Sequence, residues 1–273
     1  MDEGTPLVSV IMSVHNGEQW LKEAIDSIMR QTWPNWELWI VDDASDDSTW
    51  QILESYIRKP PDRISIIRQD PKQGLTKNLN MILPFAQGEF IARMDADDIS
   101  EPDRLAKQVA FLRQNPSVDV VASFISLIDQ KGQAIRTVWE DDRKTFTNDT
   151  IKAMLPSRNC IAHPSIMMRG KLLRTYCYNE AQTHSQDWDL WLRLANDGKI
   201  IEKIQAPLLL YRVHDSSITS TSNKKSAFRK KHEFYQRYLA TAKPGPITTK
   251  VRKQYQLNRV KLFLSTIKRK LTS

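Results

Sequence analysis

Asp95, Asp97 and Asp98 put three carboxylates into four residues. Such groups repel one another unless solvent, hydrogen-bond donors or a cation offsets their charge. Hard divalent cations prefer these oxygen ligands, and magnesium typically takes one or two protein carboxylates together with diphosphate oxygens. A solvated turn and helix cap ahead of Pro102 would use the same residue types. The acids directly follow residues 90–94, which read as a buried strand, and that position favours a metal. The run Asp42-Asp43-Ala44-Ser45-Asp46-Asp47-Ser48 is ambiguous by itself. Ser45 or Asp46 could cap a following helix, while Asp43, at a strand end, could accept a hydrogen bond from a base N–H or a ribose hydroxyl.

Two further segments carry candidate chemistry. In His184-Ser185-Gln186-Asp187-Trp188-Asp189-Leu190-Trp191-Leu192-Arg193, Asp187 opens an amphipathic helix. A structural account makes Asp187 an N-cap and pairs Asp189 with Arg193 at i, i+4. A carboxylate in an aromatic-walled cleft is also what a general base for a sugar hydroxyl requires. In Tyr211-Arg212-Val213-His214-Asp215, His214 ends a strand as a ligand or a surface residue, and His163-Pro164-Ser165 is a weaker signal of the same kind.

These residues need a scaffold that brings strand ends together. Residues 8–14, 36–41, 64–67 and 90–94 read as strands. They alternate with helical patterns over 18–31, from near 48, over 76–85 and over 102–113. Such alternation argues for a mostly parallel sheet with helices on both faces, in which ligands bind beyond the carboxyl ends of the strands. Ser13, His15, Asp43, Asp95, Asp97 and Asp98 all stand at such ends. Past residue 118 the pattern changes: a strand to 128 and the turn 129–132 suggest a hairpin, with strands at 166–168, 200–204 and 208–213. Helices are expected at 150–155 and 187–195, the latter stopped by Gly198. Residues 216–225 read as a linker.

Composition narrows the function classes. With 273 residues and 40% hydrophobic content, the chain can build one large α/β domain plus an appendage. Its two cysteines, Cys160 and Cys177, make no disulfide framework or zinc spacing. The acidic N-terminus lacks a secretory signal, and the longest apolar run, 118–128, is too short to span a bilayer. A cytoplasmic protein, or one peripheral on the inner face of the cell membrane, is expected. No Gly-x-Gly-x-x-Gly or Walker motif occurs, and eight glycines in the whole chain weaken a dinucleotide or P-loop site. A sugar-phosphate nucleotidyltransferase would need a Gly-rich basic loop after the first strand; Ser13-Val14-His15-Asn16-Gly17-Glu18 has one glycine and no Lys or Arg.

The net charge of +8 is unevenly divided. Residues 221–273 hold fifteen Lys or Arg and one acid, Glu233, for +14, which leaves −6 over residues 1–220. A non-catalytic, basic-tailed binding module would use this tail but would not explain ordered acids at successive strand ends. On a helix, Val260, Phe263, Leu264 and Ile267 form a stripe with cations elsewhere, suited to an anionic membrane surface. The alternative is docking of that stripe on the acidic body or on a second subunit. Nucleic acid is not expected, because no base-reading motif accompanies the charge.

Taken in order, the motifs over residues 6–218 resemble the family 2 glycosyltransferases, which have the Rossmann-like GT-A fold. The resemblance rests on Val8 to Asn16, Val41-Asp42-Asp43-Ala44-Ser45, Gly88 to Asp98, His163-Pro164-Ser165-Ile166-Met167, Asp187 to Arg193 and Tyr211-Arg212-Val213-His214. It is nearest to bacterial enzymes of surface-polysaccharide synthesis. It implies a GT-A domain over residues 1–220, with a nucleotide-sugar half to about 115 and an acceptor half beyond, followed by the basic helical tail. Ser13 and His15 would line the nucleotide pocket, Asp43 would contact the base, and Asp95 would lie near the ribose or donor sugar. Asp97, with His214 beside it, would ligate Mg²⁺ or Mn²⁺ on the diphosphate of a nucleotide-sugar, with a UDP-sugar favoured. Asp187 would be the general base of an inverting transfer to a glycan or lipid-linked acceptor, with His163 and Trp188 on the acceptor side. This chain departs from the family in having Gln186 before the base. It also has Leu79-Asn80 where many members have Arg-Asn, and Lys77 is the candidate for the missing phosphate charge.

Overall fold

The computed structural model of the chain describes residues 4–57, 62–214 and 224–272, with side chains described throughout these except at 224–227 and 262–272. The first half runs β1 (Val8–Val14), α1 (Leu21–Met29), β2 (Trp36–Asp42), α2 (Thr49–Ile57), β3 (Ile64–Arg68), α3 (Leu75–Ile82) and β4 (Phe90–Arg93). A short β5 (Ile99–Ser100) and α4 (Arg104–Gln114) follow. Next come β6 (Val120–Ile128), β7 (Ala134–Arg136), α5 (Asn148–Met154), β8 (Met167–Arg169) and α6 (Gly170–Tyr176). The chain continues with α7 (Gln186–Asn196), β9 (Ile201–Arg212), α8 (Lys224–Thr241) and α9 (Pro246–Thr272).

The sheet order is β3-β2-β1-β4-β8-β6-β9-β5, with β7 paired to β6. Through β3-β2-β1-β4 every pairing is parallel, so the carboxyl ends of β1, β2 and β4 share one edge. Beyond β4 the sheet is mixed: β8 is antiparallel to β4 and β6, while β9 runs parallel to β6. The sequence expectation of a mostly parallel sheet therefore describes the first half. β9 joins the two strands expected at 200–204 and 208–213. Pro207, which cannot donate to the ladder, sits where the register against β6 shifts between Ser123 and Phe124.

β1 shows why the sheet is covered twice. Val8, Val10 and Met12 alternate with Ile11, and all are fully buried. The first three face a core with Leu21, Ile25 and Ile28 of α1. Ile11 joins a second core with Leu79 and Ile82 of α3 and the Trp191 side of α7. The spacing of Leu21, Ala24, Ile25 and Ile28, all buried, is that of a helix face.

The second core also contains Phe234, Tyr235 and Tyr238 of α8 and Ile247 and Val251 of α9. The segment read as a tail appended to residues 1–220 thus shares its packing with α7. The physical reason is its aromatic spacing, which the count of cations obscures. The linker expected at 216–225 lies largely outside the described residues, and its last two positions already belong to α8. No helix among the described residues is long and apolar enough to cross a membrane.

Candidate active site

Beyond β1 and β2 the loops are cross-tied. Asp43, 3% exposed, accepts hydrogen bonds from the backbone N–H of Gln73 at 2.7 Å and of Gly74 at 2.9 Å. Gly74 has φ of 90°, a conformation open to glycine, and it leads directly into α3. His15 is exposed, and its Nδ1 lies 2.9 Å from the Asp43 carbonyl oxygen. Ser13 Oγ accepts from Asn78 Nδ2 at 3.0 Å, and Asn78 is fully buried with its own Oδ1 unpartnered among the described residues. Lys77 is exposed on α3, one residue away. Asn16, Ala44 and Ser185 hold positive φ at loop tips beyond β1, beyond β2 and before α7. Non-glycine residues in this conformation concentrate at functional sites.

At the end of β4 the three acids take different environments. Asp95 and Asp97 are about one-third exposed, whereas Asp98 is buried and accepts from the Arg212 N–H at 2.9 Å. The second carboxylate oxygen of Asp98 is buried with no hydrogen-bond partner among the described residues. Burial, with Asp97 and Asp95 nearby, pushes the Asp98 carboxyl well above the usual range. One ligand atom from each acid fits within 4.8 Å of the others, a spacing open to a single cation. Asp97 Oδ2 lies 2.9 Å from His214 Nε2. The His214 ring is buried against Trp20 with centroids 4.4 Å apart. Arg212, also buried, donates to the Asp97 carbonyl at 2.8 Å and to Glu23 at 2.5 Å, so β9 holds the acidic turn from behind.

Arg93 is the buried cation that pairs with Asp95, and it is 1% exposed. Burial works against its charge, but the Asp95 carboxylate prevails and holds the guanidinium more firmly protonated than usual. Its carbonyl accepts from buried Arg104 at 2.8 Å. Burial lowers Arg104 to about 9.

Asp187 stands in the first turn of α7, where a carboxylate favours the helix dipole. The cap position itself is Ser185. Asp187 is partly buried, and burial raises its carboxyl above the usual range, against lowering by the Trp188 N–H, by Asn159 and by the charge of Arg93. Asn159 Nδ2 donates to Asp187 Oδ2 at 2.5 Å. His163 is buried with Nε2 2.8 Å from the Tyr178 hydroxyl. Burial and the Arg93 charge hold its ring well below the normal histidine range, hence neutral. The same hydroxyl feels Arg93, Asp187 and Asp95, so one group of interacting charges joins the acidic turn to α7.

The structure therefore gathers Asp95, His163 and Asp187 around Arg93 and Tyr178, with Asp97, paired to His214, beside Asp95 in the acidic turn. Trp188 is placed elsewhere. Its indole is 6% exposed, donates to the Leu155 carbonyl at 2.8 Å and stacks on Phe234 at 4.2 Å, which makes it a core residue rather than a surface for an acceptor. Asp189 is fully buried and pairs with Arg193 at 2.7 Å, as helical spacing suggests. Sequence reasoning passed over Arg93, Asn78, Asn159 and Tyr178. Of these only Arg93 leaves a signal, as the single charge in a strand whose other residues are apolar.

Comparison with known proteins gives the family and the fold. Residues 9–175 match the family described as Glycosyl transferase family 2. EpsE of Bacillus subtilis is 36% identical over 215 residues, covering 78% of this chain and 74% of its own. The O-antigen biosynthesis glycosyltransferase WbnJ of Escherichia coli is 33% identical, covering 77% and 81%. Among solved structures, TarS of S. aureus in complex with UDP-GlcNAc superposes with a TM-score of 0.71 at 19% identity, over 91% of this chain and 72% of that one. The mannosyltransferase PcManGT of Pyrobaculum calidifontis, in complex with GDP-Man and Mn²⁺, gives 0.65 at 19% identity, over 96% and 70%. With its acids at the ends of β2 and β4 and its GT-A architecture, the chain belongs to glycosyl transferase family 2 and is a glycosyltransferase.

Proposed function

We propose that this enzyme transfers a sugar from a nucleoside-diphosphate sugar, a UDP-sugar in the first instance, to a hydroxyl of a growing surface polysaccharide or its lipid-linked precursor. The observation that carries the reading is the placement of Asp95 and of Asp187 within electrostatic reach of one buried cation, Arg93. A donor diphosphate at the first and an acceptor hydroxyl at the second would meet between them. The O-antigen biosynthesis role in the name of WbnJ supports polysaccharide synthesis, and the nucleotide-sugars held by TarS and PcManGT support the donor class.

The donor set suits a hard divalent cation. Three carboxylates converge, an imidazole lies against one of them, and the orphaned Asp98 oxygen shows more acceptor capacity than the described residues satisfy. Asp97 and His214 would hold it, with Asp95 facing the donor; a bound cation supplies charge neutralisation to the departing diphosphate. Asp187 takes the proton of the acceptor hydroxyl on its carboxylate as the new bond forms at the anomeric carbon and the bond to the diphosphate oxygen breaks. Direct displacement by one base inverts the anomeric configuration. Asn159 fixes the Asp187 carboxylate, and buried Arg93 keeps Asp95 in place. His163, held neutral, adds no second charge to the acceptor side. Ser13, His15, Asp43 and Lys77 border the place for the nucleotide.

The test is a donor panel. The protein is incubated with UDP-sugars and with GDP-mannose, in Mn²⁺, in Mg²⁺ and in EDTA, and slow donor hydrolysis is followed. Metal-dependent release of one nucleotide, abolished in Asp97→Ala, is expected. Full activity in EDTA would sink the reading.

A further inference from the structure

α9 has two unlike faces. Ile247, Val251 and Asn258 are buried, with Tyr255 partly so, at helical spacings of four, four and three, and this stripe lies against α7 and α8. Thr248 donates to Asn196 of α7, and Asn258 Nδ2 donates to the Phe228 carbonyl of α8 at 3.2 Å. Beside it runs an exposed stripe of Lys250, Lys253, Leu257, Val260 and Lys261, at spacings of three, four, three and one. Leu257 and Val260 are more than half exposed. Leu264 and Lys268 continue the spacing in the sequence, and α9 contains no acid. On α8, Phe228 is 40% exposed beside exposed Arg229 and Lys230.

A helix that has already buried one face in its own protein ordinarily turns a polar face to water. This one turns out two large aliphatics, Leu257 and Val260, flanked by lysines, and α9 offers no carboxylate to pair with them. We propose that this outer face of α9 lies on an anionic lipid surface, with Leu257 and Val260 entering the acyl boundary and Lys250, Lys253 and Lys261 reaching lipid phosphates. The division of labour suits such side chains, since lysine stems cover apolar surface while the ammonium stays with the headgroups. A nucleic acid would leave the aliphatics without use. A symmetric dimer through this face would set lysines against the same lysines of its partner.

The position of the face adds to the argument. α8, to which α9 is fastened, stacks Phe234 on Trp188, the neighbour of Asp187. Its Lys231 ammonium donates to the Ser157 carbonyl, two residues before the Asn159 that holds Asp187. A membrane under α9 would thus meet the enzyme on the side of the base. That last step rests on the proposed function; binding to lipid does not.

Full-length protein is sedimented with vesicles of phosphatidylcholine alone and with phosphatidylglycerol added. Sedimentation with the anionic vesicles only, weakened by salt, is expected. Each basic residue near such a surface contributes about fivefold in partitioning, so Lys250→Gln/Lys253→Gln/Lys261→Gln lowers it about 100-fold. Leu257→Ser/Val260→Ser lowers it by tenfold or more, on the order of the transfer of two aliphatic side chains. Both variants should retain the wild-type Tm and donor hydrolysis, because the substituted side chains are exposed and outside the site. Wild-type protein that ignores anionic vesicles at low salt overturns the proposal, as does undiminished binding by both variants. A dimer that Leu257→Ser/Val260→Ser dissociates would assign the face to a second copy instead. Vesicle binding without donor hydrolysis would leave the lipid surface standing and refute the proposed function.

Discussion

Asn159 Nδ2 lies 2.5 Å from Asp187 Oδ2, so one carboxylate oxygen of the proposed base is held and its orientation fixed. Burial raises the Asp187 carboxyl, and the Asn159 bond works in the opposite direction. A base must be ionised, so transfer is lost as pH falls through this raised pKa. The acid limb of kcat/KM should therefore sit above the ordinary carboxylate range. Asn159→Ala removes a lowering interaction and should move the limb higher still, with kcat reduced even on the plateau. A pH profile of the two proteins decides it; a limb in the same place in both would detach Asn159 from the base.

Asp187→Asn keeps the size of the side chain and removes its capacity to take a proton. Transfer should fall by about 10²–10⁴-fold, the usual worth of a general base, while nucleotide-sugar affinity is kept. A variant that unfolds yet shows normal activity per folded molecule would make Asp187 a helix-end residue only.

The Asp97–His214 contact of 2.9 Å gives a second separable prediction. If both hold the cation, His214→Ala should weaken nucleotide binding about 10–100-fold in Mn²⁺ buffer, the range typical of disturbed metal shells. In EDTA the variant and the wild type should bind alike. Calorimetric titration with UDP in both buffers makes the comparison, and equal losses in both would return His214 to a structural role.

The acids at the ends of β2 and β4 were legible in the sequence because each follows a short apolar strand, and parallel strands share one carboxyl edge. Asp187 was legible from the helix that begins around it. Asn159 and Asn78 were not. Their bonds span 28 and 65 residues, and an asparagine in a loop or helix leaves no periodic trace of a partner so distant. The reading of Trp188 as an acceptor surface failed for a related reason. Its helical stripe is correct, but what covers that stripe is α8, a segment whose cations masked its aromatic face. The mixed half of the sheet was equally hidden, since strand direction depends on crossovers that local patterning does not encode.

Arg93 and Asp95 should behave as a unit. Asp95→Asn leaves a fully buried guanidinium without its carboxylate, and breaking such a pair costs about 3–5 kcal/mol when the remaining charge stays buried. Asp95 is partly open to solvent, so a loss towards the lower end is expected. Arg93→Met/Asp95→Asn removes both charges and should recover a good part of that loss while remaining inactive. Denaturant unfolding of the two single variants and the double variant gives the coupling directly. Strict additivity would show that the two side chains act on stability independently and that the ion pair does not couple them.

The last prediction concerns residues 223–273. Considered as a free tail, they could be deleted without harm to the enzyme. The packing argues otherwise: Phe234 lies flat on Trp188 at 4.2 Å and 4° between the rings, and Tyr235 donates from its hydroxyl to the Pro156 carbonyl at 2.9 Å. Truncating a buried phenylalanine costs about 3–5 kcal/mol. Phe234→Ala should therefore lower Tm by several degrees, and deletion of the whole segment should lower it further by exposing Trp188. Because Trp188 adjoins Asp187, and the loop over residues 156–159 is held by α8, the damage should fall on the acceptor half. A reduced kcat per folded molecule with an unchanged nucleotide Kd is the expected pattern. A deletion variant with wild-type Tm and kcat would show that α8 is an appendage after all.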